Sequence, residues 1–167
     1  AINGEHNTKT VLADDETSIL WKPNDQIKVF YGSASAKFTS MNTEPEECTI
    51  FSSDKSLIYA GNESSSSYIW AVYPYSDNSE HDKTTVSLEV ADSQSAIAGT
   101  FGGSFFPSIG RSKDTNIAFY NVCGGIRFSV TQEKVNRVVI SGNNDESIAG
   151  KVKVGFDEDD KPVVNEF

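Results

Sequence analysis

Within residues 117–156, apolar side chains repeatedly fall on every second position. Ile126, Phe128 and Val130 alternate with Arg127, Ser129 and Thr131, and Val152, Val154 and Phe156 alternate with Lys151, Lys153 and Gly155. A period of two belongs to an antiparallel strand with one face on a core and the other in water. Val138, Val139 and Ile140 add a short apolar run between the two patterns. Ser141, Gly142, Asn143, Asn144 and Asp145 then supply residues that tolerate left-handed dihedrals and local side-chain turns. Three strands and their reversals are therefore expected here. Cys123, Gly124 and Gly125 interrupt the first of them, at a bulge or a bend where the chain changes direction or sheet. Nowhere do apolar residues recur at helical spacing over three turns, and a single helical turn around residues 94–98 is the most the pattern allows.

Alternation cut by turn signals continues through the rest of the chain. A hairpin is expected from strands over residues 8–12 and 17–21, with a polar tip at Ala13, Asp14, Asp15 and Glu16. Lys22, Pro23, Asn24 and Asp25 make a turn, after which Ile27, Val29 and Tyr31 share a face and Gly32 with its neighbouring serines reverses the chain. Residues 41–47 read as a polar loop, 48–51 and 56–60 as short strands, and 61–67 as a solvated tip. Asn62, Glu63 and Ser64 match a glycosylation sequon in form only. Residues 68–73 are the most apolar run and read as a central strand buried on both faces and ended by Pro74. Trp70, fully buried there, would contribute on the order of 3 kcal/mol or more. Residues 76–83 read as loop, and Val86, Leu88 and Val90 as another strand. Residues 91–110, rich in glycine and phenylalanine, fit either a long loop packing aromatics under a sheet or a strand broken by bulges. Strands this short and this regularly punctuated mean two packed antiparallel sheets or a barrel. At 167 residues one domain is expected, with 1–7 a flexible lead-in lacking apolar periodicity and 8–167 a single all-β sandwich.

Composition excludes several classes of function. A net charge of −10 and a pI near 4.6 oppose non-specific attraction to nucleic acid or to an anionic membrane. No stretch approaches the roughly 20 apolar residues of a membrane-spanning helix. Ala1, Ile2, Asn3 and Gly4 lack the charged and apolar regions of a signal peptide, so none is expected in this stretch. His6 and His81, one in the lead-in and one in a polar loop, do not favour a histidine triad or a His-rich metal site. Gly102, Gly103 and Ser104 begin like a nucleophile elbow, but Phe106 stands where the closing glycine belongs. The clusters Asp14, Asp15, Glu16 and Asp157, Glu158, Asp159, Asp160 lack the spacing of a calcium loop and read as solvated turn charges. Paired carboxylates for glycoside hydrolysis would need an aromatic-lined cleft, which a hairpin tip does not provide. The expectation is therefore a protein that is not an enzyme, with no catalytic, cofactor or metal residues. Tyr73 and Tyr75, flanking Pro74 at a strand end, are the best candidates for a sugar platform, against the plainer reading of core and rim packing. Cys48 and Cys123 are open to two readings: a bridge worth roughly 4 kcal/mol in loop entropy, or two buried free thiols.

One resemblance covers nearly the whole chain. Asn121-Val122-Cys123-Gly124-Gly125-Ile126-Arg127-Phe128, then Val139-Ile140-Ser141-Gly142-Asn143-Asn144 and Ala149-Gly150-Lys151-Val152-Lys153-Val154, resemble the fimbrillin-like surface proteins of Bacteroides-type bacteria. Thr8-Lys9-Thr10, Trp21 with Asp25 and Ile27-Lys28-Val29-Phe30, Ala71-Val72-Tyr73-Pro74-Tyr75, and Gln94 followed by Gly99-Thr100-Phe101 match that family in the same order. The match is to the family's N-terminal domain. It implies a transthyretin-like sandwich of about seven main strands, a second domain after Phe167, and a precursor whose lipid anchor is the only tie to a membrane. It also implies a place at the outer-membrane surface or in a fimbrium, as a pilin or adhesin subunit partnered by other subunits or by itself through β-strand addition. The alternative role is that of a monomeric surface lipoprotein binding glycan or a host ligand. In pilins of the family, removal of the first strand opens a groove for a neighbour's strand, and that strand would correspond here to residues 8–12. With only Lys9 near it and no arginine before Arg111, the chain fits an unprocessed subunit or a member that is never processed.

Overall fold

The computed structural model describes residues 2–5, 11–12, 19–55, 68–95, 106–126 and 128–166, and every regular element among them is a β-strand. In chain order these are β1 (Ile2–Glu5), β2 (Val11–Leu12), β3 (Ile19–Leu20), β4 (Gln26–Tyr31), β5 (Ala34–Ser40), β6 (Thr49–Ser52), β7 (Ile69–Tyr73), β8 (Glu80–His81), β9 (Val86–Val90), β10 (Ser108–Ser112), β11 (Asn116–Ala118), β12 (Tyr120–Asn121), β13 (Gly150–Phe156) and β14 (Pro162–Glu166). The larger sheet has the order β11-β1-β6-β5-β4-β7-β10-β12 and the smaller β14-β13-β9-β8, while β2 and β3 form a separate hairpin. The fold is an all-β, two-sheet sandwich, one of the two arrangements expected from the period of two. Pairing is antiparallel throughout except at β1, which runs antiparallel to β6 and parallel to β11. The expected seven main strands are outnumbered by shorter segments, because single residues such as Phe119 divide one passage of chain into two elements.

Phe119 also fixes the shape of the larger sheet. The sheet order places β11 at one end and β12 at the other, yet only this residue separates them in the chain. Successive Cα atoms lie about 3.8 Å apart, so the two ends of the sheet meet and the layer closes on itself. Gly110 on β10 lies directly against that junction. A Cβ there would sit 2.5 Å from the Ala118 carbonyl oxygen and 2.5 Å from Ile117 Cγ2.

Closure creates an inside and an outside. Ile27 and Val29 of β4, Phe38 of β5, Phe51 of β6 and Ala71 and Tyr73 of β7 face inward with Ile117 and Phe119, and the indole of Trp21 fills the space between them. Phe30, Trp70, Val72 and Ile109 face outward and pack on Val86, Leu88 and Val90 of β9 and Val152 and Val154 of β13. Strands β4 and β7 thus divide two cores, which is why residues 69–73 read as an unbroken apolar run. Turn chemistry fits its positions. Asn24 adopts a positive φ of 65° while Asp25 Oδ2 accepts the Lys22 N–H at 2.7 Å, and Gly32 turns the β4–β5 hairpin with φ 58°.

Several expectations are corrected. Residues 2–5 of the expected lead-in are a strand, held by backbone pairing on both sides, a bond that requires no apolar alternation. The hairpin over 8–12 and 17–21 is present where it is described, as β2 and β3, but it lies outside both main sheets. The strands expected over 126–131 and 138–140 do not form. The described residues between β12 and β13 hold no element, and Ile126 is 69% and Val139 72% exposed. A period of two makes a segment competent to pair, and β13 already has neighbours on both sides. Part of the expected loop 76–83 is β8, and the end of the ambiguous stretch 91–110 runs into β10. The strand expected over 56–60, the tip at 61–67 and most of the helical turn around 94–98 lie outside the described residues.

Two substitutions test this architecture. Trp21→Ala empties the closed layer and is expected to cost roughly 3–5 kcal/mol, read as a lowered urea midpoint, with Trp21→Phe losing clearly less. Gly110→Ala forces a methyl group into the β10–β11 contact and is expected to cost about 1–3 kcal/mol; an unchanged midpoint would show that the layer is open there.

Candidate functional site

The residues singled out for chemistry do not converge. His6, Asp14, Asp15, Glu16 and Ser104 lie outside the described residues. Asp157 Oδ1 accepts the N–H groups of Asp159 at 2.9 Å and Lys161 at 2.8 Å, so the second acidic cluster serves its own hairpin turn. Asp160 pairs with Arg111 at 2.5 Å. Among the described residues no three His, Cys, Asp or Glu side chains gather as a metal site. Cys48 and Cys123 are both free thiols, so the bridged reading is corrected. Cys48 is exposed rather than buried, and half-burial raises the pKa of Cys123.

The tyrosine pair is divided by the strand's own alternation. Tyr73 follows Ala71 onto the inner side of β7 and packs edge-on against Trp21, with ring centroids 5.5 Å apart. Tyr75 lies half-buried at the rim, its hydroxyl donating to Asp77 Oδ1 at 2.6 Å and Lys37 Nζ 5.5 Å from its ring centroid. That hydrogen bond raises the phenol pKa. A sugar platform built on both rings is therefore ruled out.

Sequence reading missed a buried cation. Lys28, 8% exposed on the outer face of β4, donates to the carbonyls of Asp77 at 2.9 Å and Ser79 at 2.8 Å, with Phe30 beneath it. These bonds pin the loop before β8 to the sheet. A lysine inside the run Ile27-Lys28-Val29-Phe30 was the available signal. His81 on β8 lies 5.5 Å from the Phe30 ring and 5.0 Å from the Trp70 ring. Burial lowers its pKa and Asp82 partly opposes the shift. Asp82 accepts the N–H groups of Thr84 and Thr85 together with their hydroxyls, which holds its carboxyl far below the usual range. Arg111 covers the other rim, 4.6 Å from the Tyr68 ring and 4.7 Å from the Phe156 ring. Beside β8 an open, polar depression of about 410 Å³ is lined by Ser76, Asp77, Glu80, Glu89 and Lys151.

What the described surface offers most plainly is backbone. The larger sheet holds β1 as an insert between β6 and β11, and the smaller sheet ends in β8 on one side and β14 on the other. Strand edges accept other strands. Comparison with protein-family models, with curated proteins and with solved structures finds no match.

A pH dependence follows from His81. Its folded pKa lies below the ordinary 6.5, so between the two values the unfolded chain binds the extra proton. The stability contributed by neutral His81 is fully present above about 6.5 and is lost as pH falls below it. The urea midpoint is expected to drop from about pH 7.5 to about pH 5.5, and to drop less in His81→Phe. Equal drops would assign the effect elsewhere.

Proposed function

We propose that this chain is a cell-surface structural or adhesion protein of the fimbrillin-like kind, a pilin or adhesin subunit that works by strand pairing and not by catalysis. The observation that carries this reading is the position of β1. The four residues Ile2–Glu5 occupy an interior place in a closed sheet, with Asn3 opposite Ile50 of β6 on one side and Asn116 of β11 on the other. Taking such a strand away would leave two facing edges with unpaired N–H and C=O groups, a slot for an extended segment from a neighbour. The slot belongs to β1, and not to residues 8–12, whose described part pairs with β3 in the outlying hairpin. The ordered motifs shared with fimbrillin-like proteins support the same reading, and with it a location at the outer surface, reached through a precursor's lipid anchor. Partners on this reading are other subunits or a second copy. A net charge of −10 weighs against nucleic acid.

The polar depression beside β8 favours a second reading, a monomeric surface lipoprotein that holds glycan or a host ligand there. Cleavage separates the two. Lys9 is the first lysine or arginine after β1, and a limiting trypsin-like protease acting there would detach the strand. The expected result is a ladder of detergent-resistant oligomers on an unboiled gel and fibres in electron micrographs, both absent from Lys9→Gln. A clipped product that stays strictly monomeric would overturn strand addition at this slot and turn the search to glycan and matrix binding.

A further inference from the structure

We propose that residues 126–131 of one copy of this chain add as a fifth strand to the free edge of β14 in a second copy. Ile126, Phe128 and Val130 lie on every second residue and are exposed, Phe128 by 50%. Solvating them forgoes roughly 25 cal/mol for each Å² of apolar surface that could be covered. The segment carries the pattern of a strand, and among the described residues no strand pairs with it.

Among the described residues β14 ends the smaller sheet, paired only with β13. Val164 stands opposite Val154, which is completely buried between the sheets, so Val164 faces the same core. It is nevertheless 38% exposed, because the sheet stops before its apolar layer does. A strand laid along β14 with Ile126, Phe128 and Val130 on that face would continue the layer past Val164, with the intervening positions toward water.

Charge favours the same pairing. Residues 126–140 carry Arg127, Lys134 and Arg137 against Glu133. The hairpin tip carries Asp157, Glu158 and Asp159 against Lys161, while Asp160 and Glu166 are already paired with Arg111 and Lys153. In a chain of net charge −10, copies repel one another overall, and this segment is a locally cationic surface that would meet a locally anionic one. Among the described residues of one chain no ladder joins the two segments. A second copy supplies what each lacks. Donor and acceptor patches differ, so two copies exchanging reciprocally close a dimer.

The test is the mass of the intact chain by sedimentation and light scattering, from micromolar to near-millimolar concentration. A monomer–dimer equilibrium is expected, and Phe128→Lys and Val164→Lys, both at exposed positions, should each weaken it on the order of tenfold or more, with circular dichroism unchanged. Arg137→Glu should weaken it further at low salt than at high salt. A strictly monomeric chain over the whole range overturns the proposal, including the case where residues 126–131 prove protected from hydrogen exchange within a monomer. So does a dimer that survives both lysine variants. Dimerisation should persist in Lys9→Gln, which keeps β1, so this association and the β1 slot stand or fall separately.

Discussion

The larger layer of this fold depends on what happens around one indole. Trp21 meets Phe51, Tyr73 and Phe119 edge to face, at centroid distances of 5.0, 5.5 and 5.2 Å, an arrangement in which ring edges meet ring faces favourably. The three partners come from β6, from β7 and from the residue joining β11 to β12, so one side chain ties together distant parts of the curled sheet. Its own backbone is fixed by reciprocal hydrogen bonds with Glu46, at 2.8 and 3.0 Å, and Asn42 Nδ2 donates to its carbonyl. The indole is thereby held from the main chain, and the layer closes around something already in place.

The smaller sheet depends on the larger in turn. β4 and β7 are the common wall of two cores, and each alternates its side chains strictly between them: Ile27 and Val29 inward, Lys28 and Phe30 outward, Ala71 and Tyr73 inward, Trp70 and Val72 outward. A wall of this kind has no solvent face on which error is cheap. The rim is closed by cations, Lys28 over Phe30 at one side and Arg111 over Tyr68 and Phe156 at the other, so charge seals the sandwich where apolar surface runs out.

Much of this was legible from the residues and some was not, for physical reasons. The all-β class, the doubly buried strand at 69–73, the Lys22–Asp25 turn and the β13–β14 hairpin follow from alternation and turn chemistry, because both act over a few neighbouring residues. β5 escaped because Ala34, Ser35, Ala36 and Lys37 offer too little apolar contrast to show a period. β1 escaped because four residues held from both sides by backbone bonds need no pattern at all. The opposite error befell residues 126–131, with some of the clearest alternation in the chain, and the apolar run 138–140, whose described apolar side chains are nonetheless largely exposed. Periodicity reports what a segment is able to bury, while the partner is decided elsewhere. The candidate site was least legible of all. Which of Tyr73 and Tyr75 faces the core depends on the phase of β7, and the fate of the thiols depends on where two distant loops come to rest.

The parallel contact between β1 and β11 sets a timetable. Asn3 pairs with Asn116, whereas the strands between them mostly pair with near neighbours in the chain, β4 with β5 and β5 with β6. β1 precedes every other described strand in the sequence, yet one of its two flanks is supplied by the distant β11. Long-range pairings of this kind are slow to form. β1 can therefore pair with β6 well before β11 exists to complete its other flank, and the parallel half of its contacts comes late.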